Sequence, residues 1–452
     1  MSWKVLLLSA AVAALPLAGA AQSAADPSGD WMSTLQMGPV GLRLALHLGA
    51  AASSFDSPDQ GALGVPAKLT VQGGHVVVAV DKVGTIEGDL SPDGKTLTTV
   101  LKQGPSSTPL VFSRGVFSAA HRPQTPTRPY PYREVEAAYD NPARPGVHLA
   151  GTLTLPSGPG PFPAALLITG SGAQDRDETL FAHKPFLVLT DALTRRGIAV
   201  LRVDDRGVGG STGASPMDTS LDFATDVQAG VAWLKHRADI DPRRVGLIGH
   251  SEGGMIGPLV ASRDPSIAFV VMWAGPGVSG VELLGEQAGA TAAAAGAPPA
   301  AADQIRESQG RIMRTLVSTP DPAAARAAID KLLTAAGGPA LTDQAFAAIN
   351  SPWYRTFAGY DPGPTLRALK IQVLAVVGSK DSQVTARQNI PALKAALAGD
   401  PRAEVVELPG LNHLLQPAVT GGVEEYGKIE TTIDPAALKL IVDWVADATA
   451  RR

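Results

Sequence analysis

The sequence predicts an α/β protein, a mostly parallel, doubly wound sheet carrying a helical cap and preceded by a small antiparallel β-domain. Three observations carry this. Short runs that are apolar throughout recur from residue 164 onward, and a strand apolar at every position is one covered on both faces. Stretches of helical periodicity separate those runs, which is the alternation of a doubly wound fold. Ahead of both lies a region of period-two alternation broken by turn residues, the mark of half-buried antiparallel strands.

The β-domain is expected over residues 26–115. Leu42, Leu44, Leu46 and Leu48 alternate along one strand, and Lys68 to Val71 and Val76 to Val80 flank Gly73-Gly74 as a hairpin. Ser91-Pro92-Asp93-Gly94 is a further turn. Residues 116–131, with Pro123, Pro126, Pro129 and Pro131, read as an extended linker. The second domain is expected over 132–452.

Within it, Arg133 to Tyr139 and Val147 to Leu155 suggest a hairpin. The buried strands are Ala164 to Thr169, Ile198 to Val203, Val245 to Ile248, Ile267 to Trp273 and Ile371 to Val377, with Glu404 to Leu408 behind them. Phe223 to Lys235 places Val227, Val231 and Leu234 on one helical face. Between about 276 and 369 the rhythm breaks into helical stretches that read as a cap over the strand ends. Ala292 to Ala302 reads instead as a disordered Ala-rich linker.

Composition narrows the function. With 45% apolar and 18% charged residues in a chain of 452, this is a folded globular protein of more than one domain. Net charge is -4 and no basic stripe occurs, so nucleic acid is not an expected partner. There is no cysteine, which excludes disulfides, thiol chemistry and Cys-zinc sites. The start, Met1-Ser2-Trp3-Lys4 followed by the apolar Val5 to Ala18 and small residues to Ala25, reads as a signal peptide with cleavage options such as Ala18-Gly19-Ala20. Export to the periplasm or the medium is expected, and no later segment is long and apolar enough to span a membrane.

The chemistry begins at Gly249-His250-Ser251-Glu252-Gly253, where a strand runs into G-x-S-x-G and a helix follows. This is the nucleophile elbow of the α/β-hydrolase fold: the serine sits on a cramped turn, and the flanking glycines avoid collisions with strand and helix. A hydroxyl needs a base, and of the 8 histidines only His413 lies beyond Ser251. His250 is expected to pack beneath the elbow. Asp381 follows the strand ending at Val377 and is the expected acid, to hold the imidazole in its working tautomer. The rivals Asp361 and Asp400 have no strand directly before them. The oxyanion hole is assigned to the backbone amides of Glu252 and Ser171, with Gly172 next in line. The charged clusters Gln174 to Glu178 and Asp204 to Gly207 read as local ion pairs bracing these loops. The histidines have no metal-binding spacing and the Gly-rich run at 207–213 lacks a phosphate-loop ending, so neither metal nor cofactor is expected.

These segments together resemble the bacterial EstD-type esterases of the α/β-hydrolase superfamily. The resemblance rests on Gly170-Ser171-Gly172-Ala173-Gln174-Asp175-Arg176-Asp177-Glu178, Asp204-Asp205-Arg206-Gly207-Val208-Gly209 and Gly249 to Gly254. It continues in Ser351-Pro352-Trp353-Tyr354, Gly378 to Val384 and Leu411-Asn412-His413, and so covers most of the chain from Tyr132 onward. The resemblance implies carboxylesterase activity on short acyl chains, with the roles on Ser251, Asp381 and His413. Thr169 departs from the wider superfamily, where a histidine often precedes the oxyanion-loop glycine.

The expected function is therefore hydrolysis of a small-molecule carboxylic ester through an acyl-enzyme. A serine peptidase or aminoacyl hydrolase, or a thioesterase, would use the same triad; matched ester and amide substrates separate them. An inert protein that binds through its β-domain is the alternative of another class. A fluorophosphonate label that reacts with wild type and not with Ser251→Ala excludes it.

Overall fold

The computed structural model describes residues 26–450 apart from 38, 39, 61, 82, 105, 118 and 119. The signal-peptide reading of 1–25 lies outside the described residues. The chain divides into two compact units. Leu44–Asp56, Gly64–Phe117 and the described residues up to Thr34 form the smaller, and Leu35–Arg43, Ser57–Leu63 and Ser118–Arg452 the larger.

The antiparallel β-domain is a closed eight-stranded barrel. Its strands are β1 (Gly29–Met37), β2 (Val40–Leu48), β3 (Ser53–Ser57), β4 (Ala62–Gln72), β5 (His75–Val80), β6 (Gly84–Leu90), β7 (Thr96–Gln103) and β8 (Ser106–Arg114). Pairing of β1 with β8, Trp31 opposite Arg114, closes the ring. Alternate residues turn inward, among them Leu44, Leu46, Leu48, Val76, Val78, Val80, Leu97 and Phe112, all buried. Gly73 and Gly74 join β4 to β5 with φ of 57° and 92°, a double left-handed turn for which glycine is the natural residue.

The larger unit opens with β9 (Arg133–Asp140), β10 (His148–Leu155), β11 (Phe162–Ile168), α1 (Pro185–Arg195), β12 (Ala199–Val203), α2 (Ser220–Lys235), β13 (Ile240–His250), α3 (Gly253–Arg263) and β14 (Phe269–Trp273). Six helices follow: α4 (Gly280–Ala294), α5 (Pro299–Ser318), α6 (Pro322–Ala335), α7 (Asp343–Ile349), α8 (Pro352–Gly359) and α9 (Gly363–Ala368). The chain ends with β15 (Gln372–Gly378), α10 (Ala386–Leu397), β16 (Ala403–Leu408) and α11 (Pro435–Ala450).

The strands form one mixed sheet in the order β16-β15-β14-β13-β11-β12-β10-β9. It is parallel from β16 to β12, while β10 pairs antiparallel with both β12 and β9. Consecutive residues divide between two apolar clusters. Leu166, Leu201, Leu247, Val270 and Val373 pack with α2 and α3 through Val227, Val231, Ile256 and Leu259. Leu167, Val200, Ile248, Val271 and Leu374 pack with α1 and α11 through Leu189, Leu193, Ile441 and Val445. Helices thus cover both faces, which is why the strand runs are apolar at every position.

The reading of Ala292 to Ala302 as disordered is corrected here. Helix α4 continues through Ala294 and α5 begins at Pro299, leaving a four-residue connection turned by Gly296 at φ 92°. Alanine is the best helix former, and a capping box of Ser279 and Glu282 starts α4. Close packing then holds the pair. A Cβ on Gly285 would lie 3.2 Å from the Gly310 Cα, and one on Gly289 2.8 Å from the Ala302 carbonyl.

Candidate active site

Strand β13 delivers Ser251 at its end. The residue has φ 54°, a left-handed conformation that costs a non-glycine residue on the order of 1 kcal/mol or more. The Ser251 N–H donates to the Trp273 carbonyl at 2.8 Å, which ties the turn to β14. A Cβ on Gly249 would run into the Gly253 carbonyl, and one on Gly253 into that of Ile168. The elbow therefore requires both glycines. Glu252, directly after the serine, is already helical and stands at the N-terminal boundary of α3. Its N–H is among the helix-end donors left without an intrahelical acceptor.

Asp381 and His413 arrive on the loops after β15 and β16. Their side chains are buried and meet at 2.8 Å, Nδ1 to Oδ2. The other carboxylate oxygen, Oδ1, accepts from the Gln383 and Val384 N–H groups at 2.8 Å each. A carboxylate held so can only accept, so the proton of a neutral His413 stands on Nδ1 and the lone pair on Nε2. The histidine loop is itself pinned, because Asn412 Oδ1 accepts from the Leu414 and Gln416 N–H groups.

The serine and histidine segments adjoin through His250. Its Nε2 lies 3.2 Å from the His413 carbonyl, and the two rings are 4.8 Å apart at their centroids. The loop after β11 reaches the same place. A Cβ on Gly170 would stand 3.3 Å from the Ser251 Cβ, so the root of the loop carrying Ser171 lies against the elbow. The structure thus gathers Ser251, Glu252, Asp381, His413 and the Ser171 loop into one neighbourhood.

The charged clusters brace these loops. Arg176 bonds Asp204 at 2.7 Å, Arg202 bonds Asp177, and Arg206 bonds Asp218 at 2.8 Å and Asp226 at 2.7 Å. Asp205 accepts from Thr169 Oγ1 at 2.8 Å and from the Gln174 N–H at 2.9 Å, clamping both ends of the Ser171 loop. Burial pushes the Asp205 carboxyl up to about 8, against those two hydrogen bonds and aided by the charges of Glu178 and Glu252. Thr169 thus has a use of its own, its hydroxyl fixing the start of the Ser171 loop.

Three features escaped the sequence reading. Glu252 turns its carboxylate inward, where it accepts from Ser220 Oγ at 2.5 Å and Trp353 Nε1 at 2.9 Å. Burial raises its pKa, opposed by hydrogen bonds from Ser220, Trp353 and Ser171. Beside it lies a cavity of about 640 Å³ walled by Leu166, Ser171, Phe223, Ile256 and Trp353. Of the cap, only Ser351 and Trp353 reach that cavity. Third, His250 is bonded to Glu178 as well as packed. These contacts join residues 32 to 101 positions apart, and no local signal in the sequence announces them. Among the described residues no cluster of His, Asp and Glu could hold a metal, and no helix is long and apolar enough to cross a membrane.

Residues 145–407, more than half of the chain, match the X-Pro dipeptidyl-peptidase (S15) family. The chain belongs to this family. Among relatives of this S15 protein is esterase EstD of Thermotoga maritima, 27% identical over 268 residues, which are 59% of this chain and 58% of that protein. The chain therefore spans less than two thirds of its relative's length. The similarity agrees with the EstD-type motifs and places the chain among α/β-hydrolases. Solved structures resembling it include an esterase of Pyrococcus furiosus, with a TM-score of 0.43 at 15% identity over 74% of this chain and 99% of that one. An α/β-hydrolase of Penicillium, GrgF, gives 0.45 at 16% identity over 70% and 99%.

Proposed function

We propose that this chain is a carboxylic ester hydrolase acting on small-molecule esters with short acyl chains. One observation carries the reading: a buried Asp381–His413 hydrogen bond beside a serine held at φ 54° on a glycine-flanked elbow. Its kinship to an esterase supports the choice of ester.

In this mechanism His413 Nε2 takes the Ser251 proton while Oγ bonds to the ester carbonyl carbon. The carbonyl electron pair moves onto oxygen, held by the Ser171 and Glu252 N–H groups. Collapse breaks the bond to the leaving alkoxide, which takes the proton back from His413. Water, deprotonated by the same nitrogen, then attacks the acyl-serine and releases the acid. The base contributes roughly 10²- to 10⁴-fold. The acyl chain occupies the cavity beside Ser171 and Glu252, with Trp353 as the wall supplied by the cap.

The test is a panel of p-nitrophenyl esters of increasing acyl length with fluorophosphonate labelling. Turnover fastest on short chains and labelling lost in Ser251→Ala are expected; an unlabelled wild type sinks the reading. The family match favours a second reading, hydrolysis of aminoacyl amides. Faster cleavage of an X-Pro anilide than of the matched ester would select it. Export, as the apolar N-terminal pattern suggests, is part of the proposal, and the N-terminal sequence of protein recovered outside the cytoplasm tests it.

A further inference from the structure

A second acid–histidine pair lies directly under the first. Glu178 Oε1 stands 2.9 Å from His250 Nδ1 and accepts from the Gly170 N–H at 2.7 Å. Three groups converge on Gly170: a Cβ there would meet Glu178 Oε1 at 3.2 Å, the Ser251 Cβ at 3.3 Å and His250 Nδ1 at 3.4 Å. The single carboxylate therefore touches the root of the oxyanion loop and the residue before the nucleophile. On the far side His250 Nε2 faces the His413 carbonyl.

The proton positions follow from the partners. A backbone carbonyl only accepts, so His250 Nε2 carries a proton. A carboxylate at Glu178 can only accept, so Nδ1 donates to its Oε1 alongside the Gly170 N–H. With both nitrogens donating, the ring is an imidazolium. The charged and titratable groups around it are Glu178, Asp381 and His413, and its remaining ring neighbour is Trp273 at 5.0 Å. Burial lowers the pKa of His250, but the charge and hydrogen bond of Glu178, the His413 carbonyl and the charge of Asp381 together raise it.

Stability alone is a poor account of this pair. Glu178 Oε2 is buried and, among the described residues, has no hydrogen-bond partner, and Glu178 itself sits at φ 52°. An unsatisfied buried oxygen and a left-handed non-glycine residue each cost free energy, and buried ion pairs are weak stabilisers. Costs of this kind gather where geometry serves a site.

We propose that Glu178 and His250 are positioning residues for the reaction, a buried carboxylate–imidazolium pair that fixes the oxyanion loop, the elbow and the catalytic histidine loop relative to one another. The proposal rests on the hydrolase reading above. It is tested on the purified full chain by ¹⁵N NMR of labelled histidine, with His250→Gln assigning the resonance. A His250 ring still doubly protonated above the ordinary value of about 6.5 is expected; a ring that is neutral there overturns the proposal. In Glu178→Gln, kcat should fall about ten- to a hundredfold, the scale of a small misplacement of reacting groups, with KM within about threefold. An unchanged kcat in folded Glu178→Gln also overturns it. Should that variant not fold, the wild-type spectrum decides. Wild type inert to esters and fluorophosphonate, but with a doubly protonated His250, would sink the hydrolase reading and not the pair.

Discussion

Two buried acid–histidine pairs stand side by side in this protein, and they differ in what each imidazole has left to give. At Asp381–His413 the acid takes Nδ1 and leaves Nε2 for a substrate-side proton. At Glu178–His250 both nitrogens are committed, one to the carboxylate and one to the His413 carbonyl. The first pair can move a proton; the second can only hold. An acid beside a histidine is thus no sign of catalysis by itself. The uncommitted nitrogen is.

The comparison breaks if the serine is dispensable. Ser251→Ala should lower kcat by about a millionfold, the loss typical of removing a triad nucleophile, measured by ester turnover against a label-titrated standard. Residual activity above about a hundredth of wild type would move the chemistry elsewhere. The next largest effect sharpens the role of the first acid. Because Asp381 Oδ1 accepts two backbone N–H groups, Asp381→Asn keeps its oxygen there and turns its NH₂ toward His413. The imidazole proton is driven to Nε2, the wrong tautomer, and kcat should fall about 10⁴-fold. A loss under tenfold would mean that Asp381 merely supports its loop.

How much of this was legible follows from what is local. The elbow was readable because its glycines and strained serine lie within five residues and obey backbone sterics. Asp381 and His413 were readable because each follows a strand, and His413 had no competitor after Ser251. Glu178 was visible only as one charge among several, since its contact with His250 spans 72 positions and depends on how two loops meet. His250 was assigned to packing for the same reason. The Ala-rich stretch misled because composition hid a capping box, a proline start and a glycine-lined helix contact. The antiparallel seam of β10 against β12 joins strands whose register no hairpin connects.

A third buried histidine isolates the effect of the acid partner. Among the described residues the hydrogen-bond partners of His183 are neutral groups, including Thr432 Oγ1 at 2.9 Å, the Tyr426 carbonyl at 3.0 Å and Gln416 Nε2 at 3.0 Å. Burial, aided by the Arg122 charge, lowers its pKa to about 4 from 6.5. The sign is opposite to that of His250. The folded state resists a proton that the unfolded chain accepts, so the stabilisation is complete above pH 6.5 and is lost as pH falls toward about 4. That loss amounts to on the order of 3 kcal/mol. Denaturant unfolding across this window should fall more steeply for wild type than for His183→Gln; equal slopes would deny His183 the role.

The smallest effect concerns the acid that shares the elbow without a histidine. Among the described residues Glu252 has no imidazole partner, and its carboxylate is held by Ser220 and by the cap through Trp353. Trp353→Phe keeps an aromatic wall on the cavity but removes the N–H, a charge-assisted bond whose net worth is about 1.5 to 3 kcal/mol at most. Because that bond favours the ionised form, its loss raises the Glu252 pKa further and lets the side chain share its remaining donors. The expected outcome is a drop in kcat/KM of about fivefold, part of that bond's worth, equal across acyl lengths. Trp353→Ala should instead open the wall and shift the preference toward longer chains. If the two variants give the same chain-length profile, Trp353 acts through Glu252 alone and the cap does not shape the acyl pocket.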